Sequence, residues 1–534
     1  MNALNRLLST AVLGAAVVMT APVPMAQAET PPNMLVIANR IDDITTLDPA
    51  ESFEFAGSDV SRNVYMKLVN FDPMNLKAGY QPEIAESWTV SEDKRSITFT
   101  IREGLKFHSG NPVRAEDVEF SLQRAVILNK TPAFILTQFG FTAENVAETI
   151  KAEGNTVTIT TDKPYATSFV LNCLTATIGG IVDKEVVMAN EQDGDMGNTW
   201  LKTNTAGSGA YKLVSWKPNE SVTIQSNPDY YRGAPAMERV IVRHVQESAS
   251  QRLLLERGDI DIARNLNPED IAGVRDAEGV KVEEELKGRL MYVSLSQKHP
   301  ELSKPQVRQA FKYLIDYEGM KNSFLSGQYT IHQNFLPQTY LGASDAAPFT
   351  YDVEKAKALL AEAGIPEGME IEVGVREAQE RIEIAQSLQN SLGQVGIKMN
   401  ITIGTAKQIL GRYRARELDV YLGAWGPDYP DPHTNAGTFA YNPDNSDAAQ
   451  ATGLLAWRNS WDTGGLTEKT AAAVIENDRD IRAKMYDEIQ AEFRETSPFV
   501  VMFQQIEQSA QRDNVMNFST GQAITSASYW QVTK

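Results

Sequence analysis

Hydrophobic and polar residues alternate in the first third of the chain. Ile97, Phe99 and Ile101 are separated by Thr98 and Thr100, and threonines flank the next alternating pair, Val157 and Ile159. Side chains along a strand point alternately to its two faces, so this spacing predicts half-buried antiparallel strands. We therefore expect the first third of the chain to be rich in β-sheet.

The pattern changes after about residue 285, where strands and helices are predicted to alternate. Between two of these strands, Ile384, Leu388 and Leu392 recur at helical spacing, and Gly396 ends the helix. Two earlier helices are predicted to begin near Pro305 and after Asp352, which can cap the helix. The predicted strands span residues 370–375, 397–403 and 419–425. Strands alternating with helices predict a mostly parallel α/β unit.

The last of these strands runs into a proline-rich loop that carries aromatic and acidic side chains. Three prolines between Pro427 and Pro432 stiffen the backbone that displays Trp425, Asp428 and Tyr429. In open α/β sheets, ligands bind beyond the carboxyl ends of the strands. The loop is therefore predicted to bind a ligand with an apolar body and a cationic end.

This loop resembles that of the oligopeptide/dipeptide class of extracytoplasmic solute-binding proteins, family 5 of the ABC importers. Other short segments resemble the family's motifs in the same order along the chain. They include Thr46-Leu47-Asp48-Pro49-Ala50, Gln81-Pro82-Glu83-Ile84-Ala85-Glu86-Ser87-Trp88, the hairpin from Ser96 to Gly110, Gly207-Ser208-Gly209-Ala210-Tyr211 and Asn227-Pro228-Asp229-Tyr230-Tyr231-Arg232-Gly233. The resemblance runs over nearly the whole chain.

The resemblance implies an α/β, two-lobe periplasmic-binding-protein fold with a hinge and an extra domain inserted in the first lobe. Residues 29–55, 180–285 and 500–534 are expected to form the first lobe, and residues 56–179 the inserted domain. Residues 286–499 are expected to form the second lobe, which carries the Trp425–Asp428 loop. The ligand is expected to bind between the lobes.

The resemblance also implies roles for residues in the loop. Asp428 is expected to pair with the α-ammonium group of a peptide, and Trp425 and Tyr429 to form apolar walls. The backbone groups of Ala424 and Gly426 are expected to bind the ligand as an added strand. Pro427 has no N–H and cannot donate.

Other residues are expected to face this loop across the site. Phe53 and Phe55 lie in a segment that resembles the family's opposite wall. Arg376 lies near the position where dipeptide-binding relatives place an arginine for the ligand carboxylate, and so does Arg381. An ordinary structural role remains an alternative for each arginine.

The N-terminus has the layout of a cleaved secretory signal. Arg6 precedes an apolar run from Leu7 to Met19, and Ala26-Gln27-Ala28 is followed by Glu29, so cleavage is predicted after residue 28. A lipid anchor would need a cysteine at that point, and the only cysteine is Cys173. We therefore predict a periplasmic protein that is not lipid-anchored. A single cysteine also excludes an intrachain disulfide, and Cys173 is predicted to be buried.

The net charge of the chain is −19. Residues 1–28 contain one arginine and no acid, so their removal leaves −20. An acidic surface repels nucleic acid, so no nucleic-acid partner is expected. The expected partners are a small solute or peptide and the permease and ATPase of an ABC importer. We expect a monomer without cofactor, metal ion or catalytic residues.

Alternatives to a peptide receptor remain open at this point. The same fold also accommodates opines, oligosaccharides, glutathione and metal chelates, so the ligand could be one of these. A hydrolase could use Asp428 and Asp431 as an acid/base pair, and His433 could join them around a metal ion. A chaperone for extended peptides is a third alternative. No nucleotide, zinc-finger or nucleophile-elbow motif favours an enzyme.

Overall fold

The structure is a computed structural model that describes residues 29–72, 79–521 and 527–534. The predicted signal segment lies outside the described residues. The described strands are β1 (Met34–Asn39), β2 (Val69–Phe71), β3 (Tyr80–Pro82), β4 (Ala85–Val90), β5 (Ser96–Ile101), β6 (Ile150–Glu153), β7 (Thr156–Thr160), β8 (Tyr211–Lys217), β9 (Ser221–Ser226), β10 (Arg239–His244), β11 (Ile262–Ala263), β12 (Val280–Leu295), β13 (Tyr329–Ile331), β14 (Glu370–Arg376), β15 (Lys398–Gly404), β16 (Val420–Trp425) and β17 (Phe499–Arg512).

Eighteen α-helices lie in the described ranges. They are α1 (Phe55–Val64), α2 (Ala115–Leu128), α3 (Phe134–Thr137), α4 (Val146–Thr149), α5 (Thr167–Leu174), α6 (Lys184–Ala189), α7 (Asn198–Leu201), α8 (Ser248–Arg257), α9 (Pro268–Val274), α10 (Pro305–Tyr313), α11 (Tyr317–Lys321), α12 (Val353–Glu362), α13 (Gln379–Gln394), α14 (Ala406–Arg414), α15 (His433–Phe439), α16 (Leu455–Arg458), α17 (Leu466–Ala473) and α18 (Arg479–Thr496). Short 3₁₀ turns lie at Thr131–Ala133, Thr177–Gly179 and Asp447–Ala449.

One large mixed sheet connects the two ends of the chain. Its strand order is β15-β14-β16-β12-β17-β11-β1-β10-β9-β8, and β13 also pairs with β17. Strand β14 is parallel to both β15 and β16, and α13 and α14 connect these strands. The predicted α/β class is therefore confirmed, and the three strands β14, β15 and β16 are parallel as predicted. The unit after residue 285 as a whole is mixed rather than mostly parallel, because β12 pairs antiparallel with both β16 and β17, and β13 pairs antiparallel with β17.

The long antiparallel strands β12 and β17 belong to both halves of this sheet. Their first section pairs Val280–Leu286 with Ile506–Arg512, beside β11. Their second section pairs residues 290–294 with residues 499–504, beside β16. The pairing register shifts between Leu286 and Leu290. This break is a natural place for a hinge, and the lobe boundaries near residues 285 and 500 stay a prediction.

A separate four-stranded sheet is formed by the part of the chain between β1 and β8. Its order is β4-β5-β7-β6, and every pairing in it is antiparallel. Ile97, Phe99 and Ile101 are buried on one face of β5, and Thr98 is half-buried on the other. The alternation in the sequence therefore predicted these strands correctly. Their apolar face packs on α2 and α5 in a common core.

Several local signals also act as the sequence predicts. Asp352 accepts a hydrogen bond from the backbone N–H of Lys355 and so caps α12. Gly396 follows α13 with a φ of +77°, a left-handed conformation that glycine adopts without strain. Cys173 is buried in α5, as predicted. Within the described ranges, no helix has the length and apolar character needed to cross a membrane.

Candidate functional site

The last residues of β16, just before the loop, pair with a described strand on one side only. Pairing between β16 and β14 ends at Leu422, whereas pairing with β12 continues to Trp425. The Trp425 indole N–H donates a hydrogen bond to the Oδ1 atom of Asn435 over 3.2 Å. Its ring also packs edge-to-face on Phe439, with the ring centres 6.3 Å apart. Trp425 therefore anchors the start of the loop.

Two neighbouring cavities lie against this loop. The smaller has a volume of about 200 Å³ and is lined by Phe53, Phe55, Lys67, Ile135, Ile178 and Asp428, among others. The larger has a volume of about 680 Å³. Phe55, Gly426 and Pro427 line both cavities, so these residues separate two compartments of one cleft. The walls of the small cavity come from the first third of the chain and from the loop after β16. The large cavity is also lined by residues 264–267, 287–289, 328–329, 380 and 505–508.

Asp428 lines the small cavity with a carboxylate that has no partner among the described residues. Its backbone N–H donates to the Thr434 hydroxyl over 3.1 Å, which fixes the residue in the loop. Within the described residues, no hydrogen bond or ion pair to the side chain is formed. Burial raises the pKa of Asp428 from 3.8 to about 7. A cation from a ligand would favour the ionised carboxylate here.

The two predicted phenylalanines of the opposite wall do lie beside these cavities. Phe53 packs edge-to-face on Phe134, with ring centres 6.0 Å apart, and lines the small cavity. Phe55 begins α1, and 59% of its surface is exposed although it lines both cavities. The structure therefore brings Phe53, Phe55, Gly426 and Asp428 together around one space.

Tyr429 does not face this space, although the sequence predicted it as a ligand wall. Its side chain is buried in the core around α5, and its ring centre lies 5.8 Å from that of Phe169. Its hydroxyl lies 3.3 Å from the Gln138 side-chain oxygen, to which it donates. Tyr429 therefore holds the loop in place on the side away from the cavities, by packing on α5.

Asp431 is also directed away from the cavities. Its carboxylate accepts two hydrogen bonds from the Arg482 guanidinium, at 2.9 and 2.8 Å, and both side chains are almost completely buried. It also accepts from the side-chain amide of Asn172 and from the backbone N–H of His433. Burial opposes ionisation, but Arg482 and these hydrogen bonds hold the pKa of Asp431 below its usual value.

These contacts remove the basis for an Asp428/Asp431 catalytic pair. Asp431 is occupied by a guanidinium, and Asp428 faces the cavity on its own. His433 is enclosed in the same core, and burial lowers its pKa to about 4 although Asp431 raises it. Among the residues that the structure describes, no group of three or more His, Cys, Asp or Glu side chains could hold a metal ion.

The two predicted arginines lie outside the lining of both cavities. Arg376 ends β14 and is half-buried. Arg381 is 6% exposed in the first turn of α13, and its Nε atom has no hydrogen-bond partner within the described residues. Burial and the nearby Arg289 lower the pKa of Arg381. Neither arginine shares the small cavity with Asp428.

The charged side chains of the large cavity are mostly paired with each other. Arg264 donates to Asp59 and Glu507, and the Lys287 Nζ lies 3.2 Å from Glu507. Burial opposes ionisation of Glu507, but Lys287 and Arg264 lower its pKa to about 2. Because Glu507 and Lys287 lie on β17 and β12, this network holds the two long strands beside the register shift.

Lys67 and Ser52 are two of the polar residues of the small cavity that the sequence pattern does not single out. Lys67 is 4% exposed, and its Nζ donates to the backbone oxygen of Thr175 over 2.5 Å. Ser52 is 2% exposed, and its hydroxyl has no partner in the part of the chain described. One signal was available for Lys67. It is the only charged residue in the apolar run Tyr65-Met66-Lys67-Leu68-Val69.

Sequence comparison places these residues in a known context. The profile of the bacterial extracellular solute-binding proteins, family 5 Middle, matches residues 79–447. The probable D,D-dipeptide-binding periplasmic protein DdpA of Escherichia coli (strain K12) is 28% identical over 510 residues. That match covers 94% of this chain and 94% of the relative.

Solved structures of similar fold extend over nearly the whole chain. HbpA2 from Haemophilus parasuis superposes with a TM-score of 0.79 at 24% identity, covering 94% of this chain and 99% of the other. The periplasmic binding protein DppA from Helicobacter pylori, in complex with the peptide STSA, gives a TM-score of 0.77 at 23% identity. That match covers 94% of this chain and 98% of the other. These likenesses show a shared fold.

Proposed function

Because the chain belongs to the family 5 bacterial extracellular solute-binding proteins, we propose that it is the periplasmic receptor of an ABC importer for a small peptide with a free amino group. The predicted two-lobe binding-protein fold is confirmed by the solved structures of the same fold. In this proposal Asp428 binds the ligand's ammonium group. The receptor then presents the peptide to a membrane permease and its ATPase.

The observation that carries the proposal is the unpaired carboxylate of Asp428 in the small cavity. Burying a carboxylate without a partner is unfavourable, and here it raises the pKa of Asp428 to about 7. An ammonium group would supply both the missing charge and hydrogen-bond donors. A charge-assisted hydrogen bond of this kind contributes roughly 1.5–3 kcal/mol.

The neighbouring residues support a ligand with an apolar part. Phe53, Ile135 and Ile178 give the small cavity apolar walls, and Phe55 lies between it and the larger cavity. Beyond Leu422, no strand of the described ranges pairs with β16 on the side of β14. Ala424 and Gly426 are therefore proposed to bind the peptide backbone. The relative named as a D,D-dipeptide-binding protein favours a short peptide over other solutes.

The compartment follows from the same family membership. The relative DdpA is named as a periplasmic protein, and we propose the same location for this chain. Cleavage after Ala28, the absence of a lipid anchor and a monomeric state belong to this proposal. A receptor does not need catalytic residues, and Asp431 is paired with Arg482 rather than with Asp428.

Calorimetric titration of the dialysed mature protein tests the proposal. The ligands are dipeptides such as L-Ala-L-Ala and their N-acetylated forms, which lack the ammonium group. We expect one-to-one binding of a free-amine dipeptide, no consumption of it over hours, and no binding of its acetylated form. Hydrolysis of the dipeptide would support an enzyme, and equal binding of the acetylated form would exclude the role of Asp428.

A further inference from the structure

The small cavity carries charge of both signs. Its acidic side chains are Asp428, from the loop after β16, and Glu54, just before α1. Its basic side chains are Lys67, from the segment between α1 and β2, and Arg62 in α1, whose guanidinium donates to the Asn70 side chain and to the Phe71 backbone oxygen. Apolar side chains, including Phe53, Ile135 and Ile178, form the wall around them. Apolar walls lower the local dielectric constant, so each charge interacts more strongly with a ligand there than it would in water.

The ammonium group of Lys67 has unused hydrogen-bonding capacity. It has three N–H donors, and the backbone oxygen of Thr175 is its hydrogen-bond acceptor in the described residues. Among the described residues, no carboxylate oxygen lies within 4.0 Å of the Lys67 Nζ. The nearby Glu83 carboxylate accepts instead from the Lys67 backbone N–H and from Asn70. A lysine that is 4% exposed normally has an anionic partner.

A second polar group in the same wall also lacks a partner. Ser52 is 2% exposed, lines the small cavity, and its hydroxyl forms no hydrogen bond within the described residues. Buried hydroxyl groups are normally satisfied by protein, water or ligand. Ser52 and Lys67 therefore both have hydrogen-bonding capacity in this wall that the described protein atoms do not use.

We propose that Lys67 binds the carboxylate of the same ligand whose ammonium group binds Asp428, so that the ligand is a small zwitterion of dipeptide size. This inference rests on the proposed function and adds the second end of the ligand to it. The cavity of about 200 Å³ is smaller than the roughly 300–1,000 Å³ of typical ligand sites, which favours a short peptide.

Burial affects the two charged groups in opposite directions, and a zwitterion compensates both. It raises the pKa of Asp428 to about 7. For Lys67, burial and the nearby Arg62 lower the pKa to about 7, although Glu83 raises it. A ligand ammonium stabilises the ionised Asp428, and a ligand carboxylate stabilises the protonated Lys67. A ligand with only one of these groups leaves the other buried charge uncompensated.

The assignment differs from the one that the sequence suggested. Arg376 was expected to bind the ligand carboxylate, but it lies outside the cavity that contains Asp428. Lys67 does line that cavity, and it comes from the first third of the chain. With Asp428 in the loop after β16, a zwitterion would therefore connect the two parts of the chain that line this cavity. Such a ligand would favour the closed form of the protein.

The test compares free and amidated dipeptides. L-Ala-L-Ala, D-Ala-D-Ala and Gly-L-Leu are titrated into the wild-type protein by calorimetry, each beside its C-terminal amide. We expect the dipeptide that binds best to lose about tenfold or more in affinity on amidation. In Lys67→Met, the acid and the amide should bind equally weakly, and Lys67→Arg should retain the preference for the acid.

A matched variant separates binding from burial effects. Lys312 is 2% exposed, donates to a backbone oxygen and has a pKa lowered by burial to about 7, but it lies in α10, outside both cavities. Lys312→Met should leave the preference for the acid unchanged. Arg376→Gln is measured in parallel, because loss of the preference in this variant but not in Lys67→Met would overturn the inference.

The outcomes also separate this inference from the proposed function. Wild-type protein that binds the acid and the amide equally would overturn the role of Lys67 and leave the peptide receptor intact. If no free-amine dipeptide binds, the proposed function itself fails. Because the acid and the amide are compared in the wild-type protein, the test does not depend on the folding of a variant.

Discussion

The side-chain amide of Asn172 donates a hydrogen bond to the Asp431 carboxylate over 2.8 Å, although the two residues are 259 positions apart. Asn172 lies in α5, and Asp431 follows the loop that displays Asp428. The Arg482 guanidinium bridges the same two segments, because it donates to both Asp431 and Ser168. These contacts hold the Asp428 loop against the segment that contains α5.

We predict that Asp428→Asn weakens binding of a free-amine dipeptide by about 10- to 150-fold, which corresponds to roughly 1.5–3 kcal/mol. The substitution keeps the shape of the side chain but removes its charge. Calorimetric titration measures the change. The folding of the variant is checked by circular dichroism and thermal unfolding. An affinity equal to that of the wild type would contradict the role of Asp428.

Binding should depend on pH through Asp428, whose pKa burial raises to about 7. The ionised carboxylate binds an ammonium group, so protonation at lower pH competes with the ligand. We predict that the affinity for a dipeptide amide falls about tenfold per pH unit below about pH 7. The useful range ends near pH 8, where the ligand's own amine begins to lose its proton.

The control for this pH profile is Asp428→Asn. The variant should bind the amide weakly and without the tenfold fall per pH unit below about pH 7, because no carboxylate titrates at position 428. Any remaining change between about pH 5.5 and 7.5 would come from Lys67, whose pKa burial lowers to about 7 in the same cavity. A slope that persists in the variant would mean that another group causes the pH dependence. A flat profile in the wild type would show that Asp428 is already ionised throughout this range.

Asp431→Asn should destabilise the protein strongly, since it leaves the Arg482 guanidinium buried without a counter-charge. Breaking one side of a buried ion pair typically costs about 3–5 kcal/mol. We expect the midpoint of denaturation in urea to fall clearly. Glu370→Gln removes one partner of the exposed Lys398–Glu370 pair and should leave the midpoint unchanged. Equal effects of the two substitutions would contradict this account.

Asn172→Ala should shift the ligand-free protein towards a more open form, because it removes a direct hydrogen bond between α5 and Asp431. A hydrogen bond to a charged group contributes roughly 1.5–3 kcal/mol, enough to change the populations of two forms. Small-angle X-ray scattering should show a larger radius of gyration. The control Gln123→Ala, which removes a hydrogen bond to Ile150 outside this contact, should not change it.

Much of the fold could be predicted from the sequence because its signals are local. Alternation gave the strand that contains Phe99, and helical spacing gave α13 with its end at Gly396. The loop that carries Asp428 was predicted because three prolines follow an apolar strand. Each of these conclusions depends on residues that are close together in the chain.

The arrangement of the site depends on contacts that are distant in sequence and could not be predicted in this way. Tyr429 and Asp428 are adjacent, but Tyr429 packs on Phe169 whereas Asp428 faces a cavity. The direction of the Tyr429 side chain is set by its packing on Phe169, which lies more than 250 positions away in the sequence. Lys67 gave a local signal, a single charge in an apolar run, but its position in the same cavity as Asp428 required the fold.

The most direct test of the central claim is native mass spectrometry of the dialysed mature protein with a library of dipeptides and their N-acetylated forms. The claim that Asp428 binds the amino group of a small peptide predicts a one-to-one complex with at least one free-amine dipeptide. It also predicts no complex with the acetylated form of that dipeptide. Binding of both forms with equal intensity, or of no dipeptide at all, would contradict the claim.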